Sequence, residues 1–199
     1  MKKKFAILLF CGFLISNIQA QNFGGGIILG LSTSQVSGDH LGGFNKAGLL
    51  IGSFVNLQLS NTIKGQMEMT FIQKGSNNPK MNENGITDIS LSYVEIPLLL
   101  KYQQSSTITI EGGLETAFLI SSSDNDIYGT LSSNKTREFN TTDVGIFIGI
   151  DYSISPKLIL NSRISNSILP IRAHASGTTF QLNKGQYNSV LSFALHYHL

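Results

Sequence analysis

The chain is poor in charge, has no tryptophan and carries a single cysteine, Cys11; charged residues are only 13% of its 199. The lone cysteine excludes a disulfide framework, so stability must come from hydrogen-bonded structure and packing. The net charge of +2 includes Lys2, Lys3 and Lys4. If those three leave with a leader, the remainder carries −1, which removes the case for a basic nucleic-acid binder. Beyond residue 20 there is no long unbroken apolar run. A mean hydropathy of +0.10 is high for a soluble protein and far too low for a helical membrane protein. What is abundant is glycine, serine, threonine and asparagine, a composition of strands and turns rather than helices.

The N-terminus has the form of a secretory signal peptide. Lys2-Lys3-Lys4 is a basic n-region, and Phe5 to Ile15 is an apolar h-region too short to span a bilayer comfortably. Ile18-Gln19-Ala20 is a small-residue cleavage site, so residues 1–20 are expected to be removed and residues 21–199 to form one domain. Cys11 lies inside the apolar run after bulky Phe10, which argues against lipidation.

From Lys46 to Lys74 the chain alternates. Leu49, Ile51, Val55 and Leu57 share one phase, as do Met67, Met69 and Phe71. The other phase holds Lys46, Asn56, Lys64, Gln66, Glu68 and Lys74. Side chains of a strand alternate between faces, so each strand has an apolar and a polar face. The strands approach the roughly 9–11 residues that cross a bilayer when tilted. The unit recurs, giving strands near 24–34, 46–59, 63–74, 89–102, 107–120, 142–152, 157–166 and 187–199. Connections alternate long and short, with long loops at 35–45, 75–88, 121–141 and 167–185. This predicts an all-β fold, an eight-stranded antiparallel up-and-down transmembrane barrel, with short periplasmic turns and long outer loops. Tyr102, Tyr152 and Tyr197 would form one aromatic girdle, and Phe71, Tyr93, Phe118 and Tyr187 the other. In strand four, Ile89, Leu91 and Tyr93 are out of phase with Ile96, Leu98, Leu100 and Tyr102; a bulge near Tyr93-Val94 would reconcile them, and Pro97 adds local irregularity. The alternative is a soluble barrel with the apolar face inward.

Charges of both signs sit on the polar phase. Lys64, Glu68, Glu95, Lys101, Glu111, Glu115, Asp143, Asp151 and Arg163 are expected to form a structural network inside the barrel, because buried charges must be paired. An eight-stranded barrel is just filled by its side chains, which excludes a wide pore. His196 and His198 are two apart on one strand, but further metal ligands are lacking. Asp124-Asn125-Asp126 starts like a calcium loop and lacks the later acid, so it reads as a polar turn. Asp39, His40, Asp88, Ser122 and Asp124 could meet at the outer rim, but nothing in their spacing demands it. No enzyme and no cofactor is expected.

The chain also resembles the PorT-like family of small outer-membrane β-barrels. The residues concerned are Phe71-Ile72-Gln73-Lys74-Gly75, the segment from Tyr93 to Tyr102 (Y-V-E-I-P-L-L-L-K-Y), Gly112-Gly113-Leu114 and Asp143-Val144-Gly145. The resemblance implies an eight-stranded barrel in the outer membrane, bathed in outer-membrane lipid, and no reaction. The founding member is linked to a protein secretion machinery. The expectation is a monomeric barrel with a structural or interaction role toward other envelope or secretion proteins, with the loop from Ser121 to Thr141 as contact surface. A narrow conduit or a barrel binding small molecules or lipids is the alternative.

Overall fold

The computed structural model describes residues 23–38, 43–77, 86–126, 129–130, 138–173 and 185–199. The expected signal peptide, Asp39, His40 and His174 lie outside these residues, as does most of the 121–141 loop after Asp126. Eight strands make the barrel: β1 (Phe23–Ser37), β2 (Lys46–Gln58), β3 (Ile63–Asn77), β4 (Ile86–Gln103), β5 (Ile108–Asp126), β6 (Thr142–Ser153), β7 (Leu158–Ser167) and β8 (Tyr187–His198). A two-residue stretch, Gly129–Thr130, folds back on Asn125 and Asp126 at the tip of β5. Each strand pairs antiparallel with its chain neighbours, and β1 pairs with β8 from Gly26↔His198 to Ser37↔Tyr187. The sheet therefore closes and leaves no edge.

The three short turns are built alike. In each, a serine and the residue before it donate their backbone N–H groups to one carbonyl: Leu59 and Ser60 to Ile63, Gln104 and Ser105 to Ile108, Ile154 and Ser155 to Leu158. The serine hydroxyl then accepts the N–H of that same third residue onward, at 3.1 Å in Ser60, 3.0 Å in Ser105 and 3.1 Å in Ser155. A hydroxyl that hydrogen-bonds its own turn is why serine recurs there.

Burial decides which way the faces point. Leu100 and Ile148 are each 59% exposed, while Glu111 and Asp151 are 2% exposed. The apolar phase faces outward and the charges face inward, so the soluble alternative fails. At one rim Tyr102, Tyr152 and Tyr197 point outward as expected, and Phe118 does so toward the other.

Tyr93 does not join a girdle. It is fully buried, inside the barrel, with Ile89 and Leu91. These three share odd-numbered phase with Glu95, Leu99 and Lys101, so β4 keeps one phase from Ile89 to Lys101 and needs no bulge there; its own register shift lies at its start, between Ile86 and Asp88. The irregularity lies across the ladder. Ser92 pairs with Ser121 and Tyr93 with Leu119, which leaves Ile120 of β5 as the extra residue. After that bulge β5 changes phase, and Asp124 becomes buried. Pro97 marks a gap on the other side: the β3–β4 ladder runs to Met67↔Leu98 and resumes at Thr70↔Glu95. Proline cannot donate to a ladder.

The outer ends are longer strands than expected. Gly75–Asn77, Ile86–Asp88 and Ser121–Asp126 are paired strand, not loop. Gly75 allows a close backbone approach in this region. It has φ +147°, and a Cβ there would lie 1.9 Å from the Ile89 carbonyl oxygen. Ser34 clasps the same peptide, donating to the Gly75 carbonyl at 3.0 Å and accepting its N–H at 2.8 Å. Inside the barrel, Ile28, Val36, Leu50, Phe54, Ile72, Ile89, Leu91, Tyr93 and Val190 belong to one apolar cluster.

Candidate functional site

The interior carries the chemistry. Its inward positions are set by strand alternation alone: even residues on β1, β2, β3 and β8, odd ones on β4, β6 and β7, and odd ones on β5 up to the bulge.

The middle of the barrel is crossed by one connected network. Arg163 on β7 reaches the opposite wall and grips Glu68 of β3 with two parallel bonds, Nη1 to Oε2 and Nη2 to Oε1, both 3.0 Å. Its Nε donates to Glu111 of β5 at 2.8 Å. Its guanidinium also lies 4.2 Å from the centre of the Phe147 ring. Lys101 of β4 joins Glu111 at 3.2 Å and Asp151 of β6 at 2.7 Å. Asn161 bridges the two acids, donating to Glu111 at 2.9 Å and to Asp151 at 2.7 Å. Gln66 donates to Glu68 at 2.7 Å. A planar fork of donors suits this place, because Arg pairs bidentately with a carboxylate.

Toward the outer side a second cluster surrounds Lys74. Its ammonium contacts Glu95, lies 3.6 Å from Glu115 and 3.9 Å from Asp143, and sits 5.4 Å from the centre of the Tyr93 ring. Asn188 donates to Asp143 at 2.9 Å. One cation thus faces three carboxylates.

Of the expected network, Glu68, Glu111, Lys101, Asp151 and Arg163 meet in the first cluster, and Glu95, Glu115 and Asp143 in the second. Lys64 stands apart, half-buried at the short-turn end. Lys74, Gln66, Asn161 and Asn188 were missed. Lys74 was visible, since it shares the even phase of Lys64 and Glu68 on β3.

Of the rim candidates, Asp88, Ser122 and Asp124 are described, and these three do not converge. Asp124 pairs with Arg172 at 2.6 Å, and Arg172 also donates to Gln186 at 2.8 Å. Asp88 pairs with Lys46 at 2.6 Å and accepts from Ser90 and Asn125. Partial burial pushes the Asp88 carboxyl up, but the hydrogen bonds from Lys46 and Ser90 outweigh it and hold it below its ordinary value. Ser122 is exposed on β5. His196 is buried, with its ring centre 5.6 Å from that of Phe54, and His198 meets the same ring edge-on at 4.9 Å. Among the described residues, no group of three or more His, Cys, Asp or Glu is placed to hold a metal ion.

At the short-turn end the interior opens into a cavity of about 730 Å³, with Lys101 and Asp151 among its lining residues.

Comparison with known proteins agrees with this architecture. The chain matches no curated protein. Among solved structures it is similar to Ail, the attachment invasion locus protein of Yersinia pestis, in complex with the heparin analogue sucrose octasulfate, at 12% identity and TM-score 0.53, over 89% of this chain and 99% of that one. It is likewise similar to Neisserial surface protein A, at 14% identity and TM-score 0.53, over 87% of this chain and 96% of that one. At such identities the likeness shows the fold. The family described as outer membrane protein beta-barrel domain matches residues 3–171. With the apolar face outward, the charges sealed inside and the sheet closed, the chain belongs to that family and is a β-barrel of the outer membrane.

Proposed function

We propose that this barrel acts by contact rather than by passage: it is an anchor, exported by residues 1–20, that presents its outer extensions to other envelope proteins. The observation that carries this is the bridge from Arg163 on β7 to Glu68 on β3. It joins opposite walls of the lumen, and Lys101, Glu111, Asp151 and Asn161 fill the space beside it. An apolar cluster that includes Tyr93, Ile89 and Leu91 takes up further interior space. A barrel bridged across its middle leaves its outer rim as the working surface. β4 and β5, of 18 and 19 residues, exceed the roughly 9–11 residues that a tilted crossing needs, so they raise their outer ends clear of the lipid.

The resemblance of the Tyr93–Tyr102 segment to PorT-like barrels extends the proposal to a role beside a protein secretion machinery. A photoactivatable residue at Ser121 or Ser122, both exposed on that extension, tests the contact role in living cells. The expected result is a discrete cross-linked envelope protein from these sites and none from lipid-facing Ile148. Cross-linking that is the same at Ile148 and at the extension would contradict it. For the secretion role, a strain lacking the chain should lose secreted proteins from its medium; an unchanged set would remove that part.

A further inference from the structure

We propose that the cavity at the short-turn end binds a small hydrophilic oligoanion, a solute carrying two or more phosphate or carboxylate groups. The first observation is a like-charge pair. Lys64 of β3 lies directly opposite Lys101 of β4 in the ladder, and both line the cavity. Like charges directly opposed across strands destabilise a sheet. Lys101 is compensated by Asp151 and Glu111 at 2.7 Å and 3.2 Å. Among the described residues, Lys64 has no carboxylate within 4 Å. Asp151, the acidic side chain among the cavity's lining residues, already serves Lys101 and Asn161.

The second observation is another lysine without a carboxylate. Lys157, in the turn between β6 and β7, also lines the cavity, and its ammonium sits 5.9 Å from the centre of the Tyr197 ring. The cavity thus gathers two uncompensated ammonium groups from different elements. The polar part of the remaining wall suits the same ligand, beside an apolar part from Pro156, Ile159 and Leu199. Thr62, Ser106, Thr109 and Ser153 bring hydroxyls, and Gln103 brings an amide. These groups donate to anionic oxygens and offer little to an apolar body. The volume, about 730 Å³, is of the order that holds a ligand of several to a few dozen heavy atoms. The short turns face the periplasm in barrels of this kind, so the ligand would be a periplasmic solute.

The experiment uses the folded full chain in nanodiscs, with tripolyphosphate and citrate as separate probes. Calorimetry reads binding, and lysine acetylation followed by mass spectrometry reads the place. The expected result is saturable binding of at least one probe, with acetylation slowed at Lys64 and Lys157 and unchanged at Lys46. Which probe binds distinguishes phosphate from carboxylate recognition. The K64Q/K157Q variant should bind at least about tenfold more weakly, since a hydrogen bond to a charged group is worth roughly 1.5–3 kcal/mol. Failure of both probes to bind would overturn the proposal. So would binding that leaves both lysines unprotected, or undiminished affinity in the variant. Protection is read on the unaltered chain, so a variant that does not fold leaves the test standing. The result depends on neither the envelope contacts nor the secretion role.

Discussion

On the outer side of the lumen one ammonium, Lys74, faces Glu95, Glu115 and Asp143; in the middle, Arg163 and Lys101 serve Glu68, Glu111 and Asp151. Both clusters are buried, and both are made by strand alternation. They differ in how well the donors match the acceptors. The middle cluster has a five-donor guanidinium, an ammonium and two amides arranged so that each acid is held by at least two donors or by a bidentate fork. The outer cluster has one ammonium and one amide, wrapped in Tyr93, Ile89 and Leu91. Buried charge is stabilising only where geometry and further hydrogen bonds offset desolvation. The middle cluster should therefore hold the barrel together, while the outer cluster gathers three acids around one ammonium at a cost in stability.

Substitutions separate these two roles. The largest effect is expected from Arg163→Met, which leaves Glu68 and Glu111 without their shared cation. Removing one partner of a buried pair costs about 3–5 kcal/mol, so the variant should unfold at clearly lower urea in lipid vesicles. Glu68→Gln keeps the shape and removes one acceptor of the fork; it should cost about 1.5–3 kcal/mol by the same assay. Asp143→Asn removes one of three acids around a single ammonium. It should change stability by less than about 1 kcal/mol or raise it, because it relieves repulsion between like charges in one site. A loss at Asp143 equal to that at Glu68 would erase the distinction between the clusters. The smallest effect belongs to the partly exposed rim pair. Lys46→Gln should cost under about 1 kcal/mol at neutral pH. The Asp88 carboxyl is held below its ordinary value in the fold, so its contribution is present above about pH 4 and fades as pH falls further. The variant should lose part of that acid sensitivity in a pH series.

Much of this was legible in the sequence, and for a stated reason. A period of two with long apolar phases and alternating loop lengths fixes strand number, topology and the outward face. Eight of the nine charged residues picked from the polar phase lie in one of the two clusters. What misled was the assumption that apolar means outward. Tyr93, Ile89 and Leu91 are apolar and inside, because the lumen of so small a barrel must itself be filled. Their parity already agreed with Glu95 and Lys101, and charge was the better guide to phase. The bulge at Ile120 was not legible, since Ser121, Ser122 and Ser123 suit either face. Nor was the reach of Arg163 to Glu68: contact across a barrel depends on register and stagger, which single-strand patterns do not carry.

The central claim is that the bridge and its neighbours seal the lumen. The most direct measurement is the current across a planar lipid bilayer containing the purified, folded barrel. The account expects no current steps above the bare bilayer, with insertion shown by a resistant, heat-shifted band from the same preparation. A reproducible single-channel conductance from that barrel would contradict it.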